Sequence, residues 1–135
     1  MPDTALKTGP QTPGFDDSAL KPMSTRYVDV EELPWMPTVY EGIDMKILLK
    51  DETRGLMTAL FRWQPGARLP MHEHADIEQS YVLEGSLVDH EGSCGTGQYA
   101  WRPAGSAHEA WSPDGCLLLA TFLKPNRFLD GPEAE

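Results

Sequence analysis

His72 and His74 stand one residue apart, a carboxylate follows at Glu78, and a third histidine, His108, lies further along the chain. This spacing restricts the backbone. Successive side chains alternate across a strand, whereas residues two apart on a helix point in widely different directions. His72 and His74 can therefore share an ion only from an extended segment. Glu78 has the same parity, yet on a straight strand it would lie roughly 13 Å beyond His74 at about 3.3 Å per residue. That is too far for a metal bond of about 2 Å, so the chain must turn around Ala75, Asp76 and Ile77. Three histidines and a carboxylate converging inside a β-structure make a mononuclear metal site.

Glycines and prolines place the other reversals. Gly85-Ser86 ends the apolar run Tyr81-Val82-Leu83 and reads as a tight turn into a second strand, Leu87-Val88. Pro103-Ala104-Gly105 forces a further turn, so that His108 can open a fresh strand and return its imidazole to the same interior.

The pattern resembles the cupin superfamily. Its first motif, G-x5-H-x-H-x3-E-x6-G, is met by Gly66, His72, His74, Glu78 and Gly85. Its second, G-x5-P-x-G-x2-H-x3-N, is met by Gly97, Pro103, Gly105 and His108, with Ser112 where asparagine is usual. The resemblance implies an all-β fold, a double-stranded antiparallel β-barrel of jelly-roll type, with His72, His74, Glu78 and His108 as ligands of one metal ion. The departure at Ser112 bears on the local turn and not on the metal. Leu33-Pro34-Trp35-Met36-Pro37-Thr38, the run from Glu78 to Asp89, and Asp114-Gly115-Cys116 are similar to a bacterial single-domain subgroup. That subgroup includes the cupin half of the zinc-binding anti-sigma factor ChrR and oxygenases related to acetylacetone dioxygenase and dihydroxyacetophenone dioxygenase.

At 135 residues and 40% hydrophobic, the chain can bury one core. Its twelve prolines and twelve glycines punctuate short β-prone runs, as in a barrel or sandwich, and long helices are not expected. A formal charge of -10 argues against a basic surface for nucleic acid or an anionic membrane. No segment approaches the roughly twenty apolar residues of a membrane span, and the first residues lack the basic-then-apolar order of a secretory signal. The expected location is cytoplasmic. Cys94 in a glycine-rich loop reads as exposed, Cys116 reads as buried, and both are expected to be reduced thiols.

Residues 1–24 show no hydrophobic period and read as a flexible tail, or as an arm to a partner subunit anchored by Phe15 and Leu20. A single barrel domain is expected over 25–126, and a C-terminal tail over 127–135. Arg26 to Val30 reads as an edge strand whose unpaired side favours a homodimer or higher oligomer. Strands are expected over 44–50, 56–63, 97–102, 108–111 and 116–124. His90 reads as a solvated hairpin residue, and Glu73 and Glu109 have the parity that faces away from the metal. Trp63, Trp101, Trp111, Phe61, Tyr81, Tyr99 and Phe122 read first as core, with some of them lining a pocket mouth if a small organic molecule binds.

The ligand types leave the metal open among iron, zinc, manganese and nickel. If Glu78 stands outside the ligand set as a hydrogen-bonding acid, three histidines leave room for a bidentate substrate and dioxygen on Fe(II). Zinc closed by all four residues would be catalytically idle. The leading reading is an Fe(II) dioxygenase that cleaves a carbon–carbon bond in a small β-diketone or hydroxyketone, with O2 as co-substrate. A zinc- or ligand-binding sensor module is the second reading, and a metal-dependent isomerase or lyase the third.

Overall fold

In the computed structural model, residues 9–21 and 23–134 are described. Eleven strands follow one another: β1 (Pro10–Gln11), β2 (Met36–Pro37), β3 (Ile43–Asp51), β4 (Leu56–Trp63), β5 (Arg68–Glu73), β6 (Glu78–Asp89), β7 (Gly92–Gly95), β8 (Tyr99–Arg102), β9 (Ala107–Trp111), β10 (Cys116–Phe122) and β11 (Arg127–Phe128). Every pairing is antiparallel. Helical structure among the described residues is one 3-10 turn, Val30–Glu32.

The first half of β6 lies between β10 and β8, and β10 continues through β4 to β3. The second half of β6 pairs with β7 and, at Val88, with β9, which leads through β5 to β11. One long strand thus belongs to both sheets and joins them into a curled barrel. The all-β architecture expected from the sequence is the one found.

Gly85 is the corner of that strand. The sequence predicts a tight turn at this glycine; instead it lies within β6 with φ 78°. A Cβ there would overlap the Gly115 carbonyl oxygen and meet Cys116 Cα at 2.8 Å, so only glycine fits. Opposite this corner the pairing with β10 slips by one residue between Leu117 and Leu118. The slip inverts the alternation: Glu78, Ser80 and Val82 are buried before it, Leu87 and Asp89 after it. Without the extra residue Asp89 would face solvent.

A comparable shift falls in β5 between Leu69 and His72. It brings His72 directly opposite His108 on β9 and lets both Leu69 and His72 face inward. The buried core, including Ile43, Trp63, Val82, Leu87, Ala110 and Leu118, fills the space around this interior.

Three expectations change. Arg26 to Val30 is not a strand: Arg26 is drawn to Asp17 and to the Ser24 carbonyl, and Val30 enters the 3-10 turn capped by Asp29. The outer side of β3 is instead paired by β1 and β2. Of the expected N-terminal tail, residues 1–8 lie outside the described residues, while Pro10–Gln11 is added to the sheet. Arg127–Phe128, read as part of a C-terminal tail, pairs with Glu73 and His72 of β5. Phe128 stacks on Tyr40 with ring centroids 5.0 Å apart.

Parity also sorts the aromatic residues. Trp63 is core, and Phe61 and Phe122 meet edge to face at 5.9 Å in the interior. Tyr81, Tyr99 and Trp101 take the outward positions of β6 and β8, with Trp101 62% exposed. These three belong neither to the core nor to the interior cavity.

Candidate metal centre

His72 and His108 face each other across β5 and β9, and His74 lies one residue past the end of β5. His74 stays fixed because its N–H donates to the Ser106 carbonyl at 2.8 Å and its own carbonyl accepts from Gly105 N–H at 2.8 Å. The turn at Pro103 to Gly105 therefore clamps the second ligand while delivering the third. The potential ligand atoms of His72, His74 and His108 all lie within 4.8 Å of one another, and all three residues are buried.

Each imidazole has its Nδ1 occupied. His72 Nδ1 is 2.8 Å from the Pro70 carbonyl, and His74 Nδ1 is 2.9 Å from the Ser106 carbonyl and 2.8 Å from Ser106 Oγ. His108 Nδ1 is 2.8 Å from Asp89 Oδ2. Those acceptors fix the proton on Nδ1 and leave Nε2 as the free lone pair, the arrangement of metal-bound histidines. His74 Nε2 is buried with no hydrogen-bond partner. An orphaned acceptor of this kind is costly unless something fills the site. The donor set fits a divalent transition-metal ion.

Burial pushes His72 down to about 4 and His74 down to about 3, helped by the neighbouring His108 and Arg102 charges. His108 is lowered for the same reason, although Asp89 opposes the shift. Neutral imidazoles are the form that ligates.

Glu78 lies beside this set. Its Oε1 is 3.7 Å from His74 Nε2, and its Oε2 is 3.6 Å from Arg102 Nε. Burial pushes the Glu78 carboxyl up, against the charge of Arg102 and hydrogen bonds from Asn126 and Ser80. The bend at Ala75 to Ile77, expected from distance alone, brings Glu78 back to the site at the start of β6. His90 is exposed in the hairpin, and Glu73 and Glu109 pair outside with Arg127 and Arg68.

Four supporting residues were not foreseen. Asp89 accepts from Glu91 N–H and Gly92 N–H with Oδ1, which closes the hairpin, and holds His108 with Oδ2. Burial opposes ionisation of Asp89, but the bonds from His108 and Glu91 and the charge of Arg102 hold its pKa below the ordinary value. Arg102 donates from Nη1 to Asp89 Oδ2 at 2.9 Å. Ser106 and Asn126 complete the surround. The only sequence signal for Arg102 was its place in an alternating strand two residues after Ala100.

A cavity of about 800 Å³ opens onto the site, with His72, Glu78 and His108 at its wall and Phe61, Leu118 and Phe122 among its apolar lining. Such a space takes a small organic molecule beside the metal.

A family model described as the ChrR cupin-like domain matches residues 23–126. The chain belongs to that family. Solved structures similar to this cupin share its fold. An RmlC-like cupin protein from Ralstonia eutropha JMP134 matches with a TM-score of 0.73 at 22% identity, over 79% of this chain and 73% of that one. An acetylacetone dioxygenase from Acinetobacter johnsonii matches with 0.71 at 21%, over 84% and 83%. The complex of Rhodobacter sphaeroides SigE with the anti-sigma ChrR matches with 0.59 at 23%, over 70% of this chain and 50% of that one. None of the curated proteins compared with the sequence matches it. Among the described residues of this cupin, no helix is long and apolar enough to cross a membrane.

Proposed function

We propose that this cupin is an Fe(II) dioxygenase that cleaves a carbon–carbon bond in a small β-diketone or hydroxyketone. The observation that carries the reading is the three-histidine face opening onto a largely apolar cavity of about 800 Å³. The likeness to an acetylacetone dioxygenase supports it. His72, His74 and His108 would hold the metal, which when bound supplies a Lewis acid for paired oxygens and redox chemistry toward dioxygen.

The chain's own residues do the rest. Phe61, Leu118 and Phe122 keep water from the organic part of the substrate and hold it against the histidine face. Glu78 Oε1, beside the site on a carboxylate whose burial raises its proton affinity, takes the proton from the carbon between two carbonyls. Asp89 keeps His108 in the tautomer that presents Nε2.

The test is an oxygen electrode with Fe(II)-loaded protein and a panel of diketones, hydroxyacetophenones and short thiols. Substrate-dependent oxygen uptake is expected with a diketone or hydroxyketone; silence across the panel removes the reading. Metal analysis of anaerobically purified protein decides between iron and zinc, manganese or nickel. The family match favours a second reading, a zinc-binding regulatory module, and four protein ligands with no exchangeable water would establish it.

The working unit of the proposal is the barrel of residues 25–126 with the segment from Arg127 laid across it. Self-association belongs to the same reading: Tyr81, Leu83, Tyr99 and Trp101 form an exposed apolar face on a chain of charge -10. Light scattering at micromolar concentration should show a dimer or larger. A cytoplasmic location accords with the two free cysteines.

A further inference from the structure

Three buried side-chain nitrogens among the described residues lack a hydrogen-bond partner: Trp63 Nε1, His74 Nε2 and Arg102 Nε. Two of them flank one carboxylate. His74 Nε2 is 3.7 Å from Glu78 Oε1, and Arg102 Nε is 3.6 Å from Glu78 Oε2. Neither distance is a hydrogen bond: Arg102 Nε is a buried donor that Glu78 does not meet, and His74 Nε2 is a lone pair that a carboxylate oxygen cannot meet.

Arg102 cannot move to resolve this. It sits directly opposite Glu78 in the pairing of β8 with β6, and its Nη1 is anchored at 2.9 Å to Asp89 Oδ2, the oxygen that also holds His108 Nδ1. The guanidinium is thus fixed by the same carboxylate that orients a metal ligand. Only the Glu78 side chain is left to adjust. A metal on the three histidines would satisfy His74 Nε2, leaving Arg102 Nε as the unmatched donor, and Glu78 Oε2 is the oxygen in line to meet it.

We propose that Arg102 sets whether Glu78 coordinates: its fixed guanidinium draws on the Glu78 carboxylate and keeps it a weak, displaceable fourth ligand, so that a small anionic or enolate oxygen can take the position. Arg102 is a positioning residue in this account, acting through Glu78. The inference rests on a metal held by His72, His74 and His108, the site of the proposed dioxygenase, but not on any reaction with dioxygen. In Arg102→Met the buried Glu78 carboxylate would keep its hydrogen bonds from Ser80 and Asn126 but lose its neighbouring guanidinium, leaving the metal as the cation beside it and closing the position.

The probe is azide, titrated under anaerobic conditions into Co(II)-loaded protein and followed by visible absorption. Wild-type protein should bind azide with a change in the Co(II) bands. Arg102→Met should bind it about tenfold more weakly, and Arg102→Met/Glu78→Gln should recover the lost affinity. Unchanged affinity in Arg102→Met overturns the proposal. So does an equal loss in the double variant, which would trace the effect to Asp89 and His108 instead. If Arg102→Met does not fold, Glu78→Gln alone decides: tighter azide binding than wild type supports the displaceable ligand, and an unchanged affinity and spectrum overturn it. Because neither dioxygen nor a diketone is present, this outcome is independent of the oxygen-uptake test.

Discussion

Asp89 Oδ2 receives the Nδ1 proton of His108 at 2.8 Å, across a gap that the straight alternation of β6 could not have bridged. The one-residue slip beside Gly85 turns Asp89 inward. A feature of backbone geometry in the middle of the strand thereby places, at its end, the group that orients a metal ligand.

Asp89→Asn should therefore weaken metal binding while the fold survives. The amide oxygen still accepts from His108 Nδ1, but the charge that makes the imidazole a better donor is gone, and the bond from Arg102 weakens with it. A loss of about 10- to 100-fold in affinity is expected, read by competition with a coloured chelator. An affinity within twofold of wild type, a change of about 0.4 kcal/mol, would show that the carboxylate does nothing for the site.

Gly85→Ala tests the corner itself. The added methyl would overlap the Gly115 carbonyl oxygen at a φ of 78° that non-glycine residues adopt only under strain. The atoms it meets are all backbone, and the Cβ has no rotamer to escape by, so relief requires the strand to move. The expected loss is on the order of 3 kcal/mol or more, measured as a shift in the urea midpoint. Gly66→Ala is the control: φ there is 84° but no atom lies within 4 Å of the added Cβ, so it should lose only the conformational part.

These two residues also mark where the sequence was readable. The His72 and His74 spacing demanded a strand, the distance to Glu78 demanded a bend, and Pro103 and Gly105 demanded a turn before His108; each is a local constraint carried by a few adjacent residues. Gly85 was equally visible as a glycine needing freedom, but a turn and a corner inside a strand use the same freedom. What distinguishes them is the approach of Gly115, thirty residues away in sequence. Asp89 was hidden for the same reason: its inward direction depends on the slip against β10, which no local pattern records; the place of Arg102 beside the site comes from its pairing with Glu78 across β8 and β6, a contact between strands and not a local pattern. Phe128 reads as tail in the sequence because two residues are too few to show a period, and only its pairing with His72 gives it a place.

Acid should destabilise the metal-free protein through its histidines. His72 is depressed to about 4 and His74 to about 3, both mainly by burial, from an ordinary value of 6.5. Between those values and 6.5 the unfolded chain binds protons that the folded chain excludes, so stability falls as pH is lowered through this window. Glu78, raised by burial, has the opposite sign: its contribution is lost as pH rises. His108, also depressed by burial, adds to the histidine effect. Thermal melts of metal-free protein should show Tm decreasing from pH 7 to pH 4.5, and saturating metal should shift each melt upward at pH 7. A flat profile would mean that the imidazoles protonate without penalty in the folded state.

The cysteines should be poor nucleophiles. Burial pushes the Cys116 thiol up to about 11 and raises Cys94 as well. Cys94, expected on the surface, is half-buried against the core where β7 pairs with β6. At pH 8 iodoacetamide should label native protein far more slowly than urea-unfolded protein, with Cys94 preceding Cys116 in mass analysis. Rapid labelling of Cys116 in native protein would contradict the packing of β10 beneath the Gly85 corner.

Metal and substrate should be separable at Ala110. It lies two residues beyond His108 on β9, buried and facing the cavity of about 800 Å³. Replacing it with leucine projects a branched side chain into open space, so the overpacking of about 1–3 kcal/mol seen in filled cores should be reduced. None of the groups that hold His72, His74 or His108 through Nδ1 is altered. Ala110→Leu should bind metal as wild type does, yet lose organic ligands that need the space next to His108. The loss should grow with ligand bulk, because a larger molecule cannot withdraw from the added side chain and still reach the histidine face. Isothermal titration of diketones of increasing size into Co(II)-loaded protein gives the comparison. An equal loss for the smallest and largest diketones would place the organic ligand elsewhere than this cavity.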